Sequence, residues 1–489
     1  MNLPSPSGVE PITSEFVTFA PVHSSHSIKL FVVSIVLLLV LPWLMQEGMF
    51  MDGMIYATVA KNLANGSGTI WDLHLTDFVS PHYHDQPPLT IWLTAGLFKL
   101  IGNSIYTERL YSLLMLLLNL ILLRAIWKTI FRNTETSHLW FLPVLLWIIP
   151  PACFWSYTNN MEENTVSVFS LLAFYFLSNI IFQKKNIVTF SILAGLSIFL
   201  AGMSKGIQST FLLASPFFFF IMGKSDRTLS IKIILITWAT FLVLSVLLFT
   251  YEPARNYFKE YYTTRLVSTF NNPETATTSN RFYLLWRLTM EEISPILLCI
   301  LILTVKRPEK SAFKKQFKVA GVFFLIALSA TLPLLITNEQ RRFYLVPAYP
   351  YYALGFAYLV YPSLQTLLQK ANKRTTTFIY SVTMVILFST AYLTAIYLNT
   401  PKRDAYLIYD VKSAMNFIGN EKQIGIEKEL YTDWLLHLTF QRYYGVSLNP
   451  DSAAGLKYLL VQKNSQAMPM NFQEIDAGLE EFRLGKRRN

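Results

Sequence analysis

Long apolar segments alternate with short polar ones along most of the 489-residue chain. A helix of about 18 or more apolar residues can cross roughly 30 Å of hydrocarbon. The segments predicted as membrane spans are 28–45, 110–130, 139–155, 166–182, 187–203, 211–222, 231–249, 293–305, 319–336, 344–361 and 378–398. The pattern predicts an all-α polytopic membrane protein with eleven spans, or up to thirteen if some are broken.

The segment 47–93 is the most distinctive polar stretch, and it follows the first span directly. Ile55, Val59 and Leu63 recur at helical spacing, and Gly66 to Gly68 ends the pattern. Residues 89–101 are apolar but too short for a comfortable span. They follow Pro87-Pro88, so we predict a re-entrant or interfacial helix there.

The distribution of charge sets the topology. If residues 89–101 do not cross, five loops fall on one side with sixteen Lys or Arg and three acids: 128–138, 183–186, 223–232, 306–318 and 370–374. The positive-inside rule places these loops in the cytoplasm. The N-terminus is then cytoplasmic, and the chain from residue 399 lies outside.

Three regions are therefore predicted. Residues 1–27 form a polar cytoplasmic tail, without the basic start or cleavage site of a signal peptide. Residues 28–398 form the transmembrane domain. Residues 399–489 form a small α/β domain, with a helix at 433–444 and a strand at 457–462.

Composition narrows the class further. Hydrophobic residues make up 53% of the chain and charged residues 15%. The net charge of +11 invites a nucleic-acid function, but the cations cluster in short loops between spans, so we exclude it. Cys153 and Cys299 lie in apolar runs and indicate packing rather than a disulfide. The chain has no Walker or Rossmann motif, which argues against soluble-nucleotide chemistry.

Acidic residues at the predicted outer interface are the first candidates for chemistry. Asp52 comes about one helical turn after the first span, where it can cap a helix, serve as a general base, or do both. Glu162 and Glu163 begin another span at the same face. They either face Asp52 across a cavity or form a solvated loop end.

Lys or Arg residues on the predicted outer side run against the positive-inside distribution of the other cations. Four of them are candidates for a functional role. These residues are Arg109, Lys205, Arg341 and Arg342. Cations at an interface suit a phosphate ligand. The alternative is pairing with lipid headgroups or snorkelling.

The sequence His82-Tyr-His84-Asp85-Gln86 precedes Pro87-Pro88. It lacks strong metal-ligand spacing, so polar contacts from His84 and Gln86 to a substrate are favoured over a metal site. Tyr344, beside the two arginines, is a further candidate substrate contact.

The order of these motifs resembles the GT-C membrane glycosyltransferases, in particular the lipid A aminoarabinose transferases and the protein O-mannosyltransferases. The motifs, between residues 48 and 352, are Asp52, QPPLTIWL, Arg109, NMEEN, SKG and RRFYLVPAYP. The resemblance implies a GT-C fold and an inverting transferase that uses a polyprenyl-phosphate sugar. It implies Asp52 as the base and Glu162 or Glu163 as a second acid.

Two positions depart from the family pattern. Gln86 stands where the family often has Lys or His before Pro-Pro, and His84 is the candidate substitute. Gly53 follows Asp52 where a paired acid would be expected.

The favoured hypothesis is a glycosyltransferase at the outer face of a plasma (inner) membrane, without metal or other cofactor. Lys205, Arg341 or Arg342, and Arg109 would bind the donor phosphate, and the acceptor would be a glycan, lipid A or a protein. The rival is a transporter or lipid flippase without bond-breaking chemistry, which predicts inverted repeats and ionisable groups near the bilayer midplane. A non-catalytic lipid-binding partner is the third possibility.

Overall fold

The computed structural model describes residues 22–267, 277–337, 339–451, 455–465 and 468–488. Most of the predicted polar tail, residues 1–27, lies outside the described residues. The described chain forms a helical bundle with a small mixed domain at one end.

The bundle is built from helices that follow the apolar segments of the sequence. They are α1 (Val22–Met45), α2 (Met51–Ala64), α3 (Leu89–Ile101), α4 (Thr107–Ile130), α5 (Phe141–Ile148), α6 (Pro151–Tyr157), α7 (Glu162–Gln183), α8 (Ile187–Lys205), α9 (Ser215–Ile221), α10 (Arg227–Thr250), α11 (Glu252–Glu260), α12 (Tyr283–Glu291), α13 (Ile293–Val305), α14 (Lys310–Thr331), α15 (Tyr349–Gln369) and α16 (Lys373–Tyr397). A π-helical turn, Tyr261–Leu266, continues α11.

Within the described ranges, seven helices are long and apolar enough to cross a membrane, or nine if each of two bent pairs counts as one span. One bent pair turns by 91° between Ile148 and Pro151, where consecutive prolines cannot continue the helical hydrogen bonds. The predicted spans 211–222 and 344–361 coincide with α9 and α15, which do not reach that threshold. The chain is a multi-span, mainly helical membrane protein, as predicted.

The short apolar segment after Pro87-Pro88 forms α3, with 13 residues. At 1.5 Å per residue it is about 20 Å long, less than the thickness of the hydrocarbon core. It packs against α2 rather than extending as a full span. The predicted helix after Asp52 is also present as α2. Of its predicted apolar face, Val59 is fully buried, and Ile55 and Leu63 are half-buried.

The C-terminal domain confirms the predicted α/β class. Its helices are α17 (Ala405–Ile418) and α18 (Trp434–Tyr444), and its strands are β1 (Gln423–Ile426), β2 (Ser447–Asn449), β3 (Tyr458–Gln462), β4 (Phe472–Ile475) and β5 (Phe482–Arg487). The sheet order is β2-β1-β3-β5-β4. Strand β1 is parallel to β2 and β3, whereas β5 is antiparallel to β3 and β4.

The C-terminal domain packs on segment 47–93. Lys412 Nζ lies 2.5 Å from Glu47 Oε2, and Gln423 Nε2 donates to Asp77 Oδ2 at 2.9 Å. Both segments therefore lie on one face of the bundle, which we call the outer face.

A buried arginine attaches α18 to the bundle. The Arg442 guanidinium contacts Glu108 Oε2 at 2.5 Å, Asn103 Oδ1 at 2.8 Å and the Ser104 carbonyl at 2.7 Å. Lys61 Nζ donates to the Arg442 carbonyl at 2.7 Å, so a cation also lies at the C-terminal end of α18, where the helix dipole favours it.

Replacing Arg442 with methionine should destabilise the protein, because it leaves the Glu108 carboxylate buried without its cation. Breaking a buried pair in this way costs about 3–5 kcal/mol. Thermal unfolding of the purified protein in detergent should show a clear fall in Tm. Lys457→Met is the matched control, because Lys457 pairs with Glu421 at an exposed site of the same domain and should change Tm little. Equal Tm values for the two variants would contradict the assigned role of Arg442.

Candidate active site

Asp52 lies in the first turn of α2, on the outer face. The residue that caps this helix is Phe50, and no side chain caps it, so Asp52 does not act as the N-cap. The Phe50 N–H instead donates to Asn159 Oδ1 at 2.8 Å, which ties the start of α2 to the turn before α7. The Asp52 carboxylate is therefore available to the cavity beside it.

That cavity has a volume of about 250 Å³. Its lining comes from segment 47–93, the end of α8, the π-helical turn, the segment before α15 and the C-terminal domain: Met51, Asp52, Ile55, Tyr56, Tyr83, Asp85, Gln86, Lys205, Arg265, Glu339, Arg341, Tyr344 and Trp434. A branch of about 130 Å³ shares several of these residues and adds the apolar side chains of Ile207 and Leu334.

Three charged residues form a buried group behind this cavity. Glu162 and Glu163 begin α7 and are fully buried, and Lys205 ends α8. Lys205 Nζ lies 2.8 Å from Glu163 Oε1 and 3.7 Å from Glu162 Oε2. Lys205 also lines the cavity, so it connects the two glutamates with the side that Asp52 faces.

The glycine that follows Asp52 allows α2 to approach the turn before α7. A Cβ atom at Gly53 would lie 1.9 Å from the Asn159 carbonyl oxygen, far below any permitted contact. Asn160 Nδ2 donates to the Gly53 carbonyl at 3.3 Å. This close packing explains why a second acid cannot follow Asp52 in this chain.

Arg109 is buried and lies outside the cavity lining. Its guanidinium donates to the carbonyl oxygens of Gly48 and Thr158, which joins the start of segment 47–93 to the turn before α7. The geometry gives Arg109 a positioning role for both Asp52 and the glutamates rather than a contact with a ligand in the cavity.

The side chains of the neighbouring residues Arg341 and Arg342 lie in different environments. Arg341 lines the cavity, whereas the Arg342 guanidinium lies over the Trp155 ring, 5.1 Å from its centroid. Glu339 Oε1 lies 3.3 Å from Arg265 Nη2 and 3.8 Å from Arg341 Nε. The Tyr344 hydroxyl donates to the same oxygen at 3.1 Å, so one carboxylate holds two cavity arginines and the tyrosine.

The residues before Pro87-Pro88 separate into two groups. Asp85 and Gln86 line the cavity. His84 lies outside it, with Nδ1 3.1 Å from Glu260 Oε2 and Nε2 3.7 Å from Asp72 Oδ1. His84 thus ties segment 47–93 to α11, which leads into the turn that carries Arg265. In the described ranges, no three or more His, Cys, Asp or Glu side chains are grouped to hold a metal ion.

Burial and local charge determine the proton affinity of the cavity carboxylates. Burial raises the pKa of Asp52 above its ordinary value, although Lys205, Arg341 and Arg265 oppose the rise. Burial also raises the pKa of Asp85, and Arg265 opposes it. Asp52 is therefore a stronger base than an exposed aspartate, held beside three cations.

Sequence reasoning missed several members of the cavity: Tyr56, Tyr83, Arg265, Glu339 and Trp434. Arg265 satisfies the same criterion that selected Arg341, a cation on the predicted outer side, so this signal was available. The sequence contains no comparable signal for Trp434. This residue belongs to the C-terminal domain and reaches the cavity only because α18 packs on the bundle.

We compared the chain with protein-family models and with curated protein sequences. Residues 85–250 match the family model described as dolichyl-phosphate-mannose-protein mannosyltransferase. No curated protein sequence is significantly similar to the chain.

Three solved structures show the extent of the likeness. The structure of ArnT from Cupriavidus metallidurans bound to undecaprenyl phosphate has a TM-score of 0.63 and 13% identity, over 95% of this chain and 97% of that one. Its apo form has the same TM-score and identity, over 94% and 98%. The oligosaccharyltransferase AglB from Archaeoglobus fulgidus, with an inhibitory peptide and dolichol phosphate, gives 0.48 and 13%, over 89% and 69%.

The helical bundle and the C-terminal sheet domain define a GT-C fold. This fold, together with the match of residues 85–250 to the mannosyltransferase family model, indicates a membrane glycosyltransferase with a GT-C fold, as the motif order predicted. The glycosyltransferase hypothesis is therefore favoured over the transporter, the lipid flippase and the non-catalytic lipid-binding partner.

Proposed function

We propose that the chain transfers a sugar from a polyprenyl-phosphate-linked donor to an acceptor hydroxyl or phosphate, with inversion at the anomeric carbon. The observation that carries this proposal is the shared cavity of Asp52 with Lys205, Arg265 and Arg341. It combines a base of raised pKa with cations suited to a departing phosphate.

In the proposed step, the acceptor oxygen attacks the anomeric carbon as the bond from that carbon to the donor phosphate oxygen breaks. Asp52 accepts the proton of an acceptor hydroxyl; an acceptor phosphate that is already ionised needs no base. The polyprenyl phosphate leaves with the bonding electron pair, and the cations stabilise its negative charge. A single displacement of this kind inverts the configuration.

The cations differ in how far they are available to a phosphate. Lys205 is already paired with two buried glutamates, so much of its charge is compensated. Arg265 and Arg341 share one carboxylate, Glu339, and each keeps close to 40% of its side chain exposed. We therefore assign the main phosphate contacts to the two arginines and a supporting electrostatic role to Lys205.

The nature of the donor is inferred from two features. One is the cavity branch that includes Ile207 and Leu334, which offers apolar surface next to the proposed phosphate contacts. The other is the resemblance in fold to an ArnT structure whose ligand is undecaprenyl phosphate. A lipid phosphate fits both the charged and the apolar part of this space.

The site is proposed to face the outside of the plasma (inner) membrane. Sixteen cations against three acids occupy the loops assigned to the opposite side, and this bias supports a cytoplasmic N-terminus. The C-terminal domain then lies outside, where it contributes Trp434 to the cavity. The acceptor is a glycan, lipid A or a protein, and catalysis is proposed to need no metal.

Asp52→Asn should abolish transfer to an acceptor hydroxyl, because asparagine cannot accept the proton. Loss of a general base lowers the rate about a hundredfold to ten-thousandfold. The measurement is consumption of a radiolabelled polyprenyl-phosphate sugar by purified protein in lipid vesicles. Donor binding and Tm, measured in parallel, should remain close to wild type. Near-full activity of the variant would rule out Asp52 as the base.

The pH dependence tests the same assignment in a second way. Since burial raises the pKa of Asp52, the base is protonated, and kcat/KM falls, at a higher pH than for an exposed aspartate. Arg341→Gln removes a cation that lowers this pKa, so the acidic limb should move to higher pH. Glu339→Gln removes a carboxylate that raises it, so the limb should move to lower pH. Identical limbs in all three proteins would contradict Asp52 as the titrating group.

The paired arginines provide a test of the phosphate contacts. Arg265→Gln and Arg341→Gln should lower kcat/KM for the donor by about 1.5–3 kcal/mol, roughly ten- to a hundredfold, because a charged hydrogen-bond partner is lost. The KM for the acceptor should change little. Arg342→Gln is the matched control, since Arg342 lies over Trp155 and should leave donor kinetics unchanged. An equal effect at Arg342 would show that the loss is not specific to the cavity.

A further inference from the structure

An apolar groove lies between α1 and α4, away from the cavity of Asp52. Its volume is about 300 Å³. The lining is apolar except for one cation: Val32, Val33, Val36, Leu37, Val40, Leu41, Leu44, Leu113, Leu116, Leu117, Leu120, Ile121, Arg124, Trp140 and Val144. Such a groove matches the chemistry of a hydrocarbon chain.

The groove is open to the side of the bundle. Val33, Leu117 and Ile121 are 45%, 44% and 60% exposed. Along α1 the lining extends from Val32 to Leu44, which corresponds to about 18 Å of helix.

One end of the groove is strongly positive. The Arg124 guanidinium lies over the Trp140 ring, 5.2 Å from its centroid. Lys29 lies three residues before Val32 on α1, and Lys128 lies one helical turn after Arg124 on α4, so both add positive charge near this end. None of these three cations forms an ion pair with a carboxylate in the part of the chain that the structure describes. Their mutual repulsion would be relieved by an anion.

We propose that this groove binds one anionic phospholipid. An acyl chain would lie between α1 and α4, and Arg124, Lys29 and Lys128 would contact the headgroup phosphate. Arginine suits this ligand because its guanidinium can donate two parallel hydrogen bonds to a phosphate.

The site is separate from the catalytic cavity. Arg109 lies in the first turn of α4, on the outer face, and Arg124 lies about four turns further along the helix. In the proposed topology the cations therefore face the inner leaflet. The proposal does not depend on the assignment of donor or acceptor.

Native mass spectrometry of the purified full-length protein tests the proposal. Dioleoylphosphatidylglycerol added to the delipidated protein should be retained as one bound molecule, and it should raise the Tm in a saturable way. Dioleoylphosphatidylcholine and inorganic phosphate should bind at least roughly tenfold more weakly, because one lacks net negative charge and the other lacks the acyl chain.

Variants identify the location of the bound lipid. Arg124→Gln should weaken binding roughly tenfold or more, and Val36→Trp, which fills the groove, should abolish retention. Lys224→Gln is the matched control: Lys224 is likewise repelled by two cations, Lys315 and Lys318, but does not line the groove. Transferase activity similar to wild type would show that each variant is folded.

Three results would overturn the proposal. Equal retention of phosphatidylcholine would show that the cations do not select the headgroup. Equal weakening by Lys224→Gln would show a general effect of surface charge. Displacement of the lipid by undecaprenyl phosphate, or by a peptide of residues 1–21, at lower concentration than by phosphatidylglycerol would assign the groove to another occupant.

Discussion

The structure depends on compensating buried carboxylates at the outer interface. Glu162 and Glu163 are fully buried, and an uncompensated charge in such a place would cost several kcal/mol. Lys205 supplies one positive charge to this pair, 2.8 Å from Glu163 and 3.7 Å from Glu162. Because the glutamates begin α7 and the lysine ends α8, their attraction joins the outer ends of two spans. The same lysine then reaches the cavity of Asp52, so this structural interaction also sets the charge of the site.

The C-terminal domain is part of the site rather than an appendage. Arg442, near the end of α18, is held by Glu108 inside the bundle, and Trp434, at the start of the same helix, lines the cavity. Because both residues belong to α18, the contact of Arg442 with Glu108 also fixes where Trp434 lies in the cavity. An enzyme that lost this docking would lose one wall of its cavity, even with every residue of the transmembrane domain in place.

Much of the fold was predictable because it follows from local physical rules. Apolar length predicted most of the long helices, and the short segment at 89–101 forms a helix of 13 residues, below the length of a span. Charge bias placed segment 47–93 and the C-terminal domain on one face, and Lys412 and Gln423 contact that segment. The number of spans could not be predicted from apolar length alone. Eleven to thirteen were predicted, whereas the described residues contain seven, or nine if each bent pair is counted as one span.

The sequence by itself determined which residue types reach the outer face and that Asp52 belongs there, because hydrophobic length and charge act along the chain. Only the tertiary structure decided which side chains converge. It turns Arg341 into the cavity and its neighbour Arg342 onto Trp155, and it gives Arg109 two carbonyl partners. It also adds Trp434 from the far end of the chain. A side chain's direction depends on packing partners distant in sequence, and no local pattern encodes them.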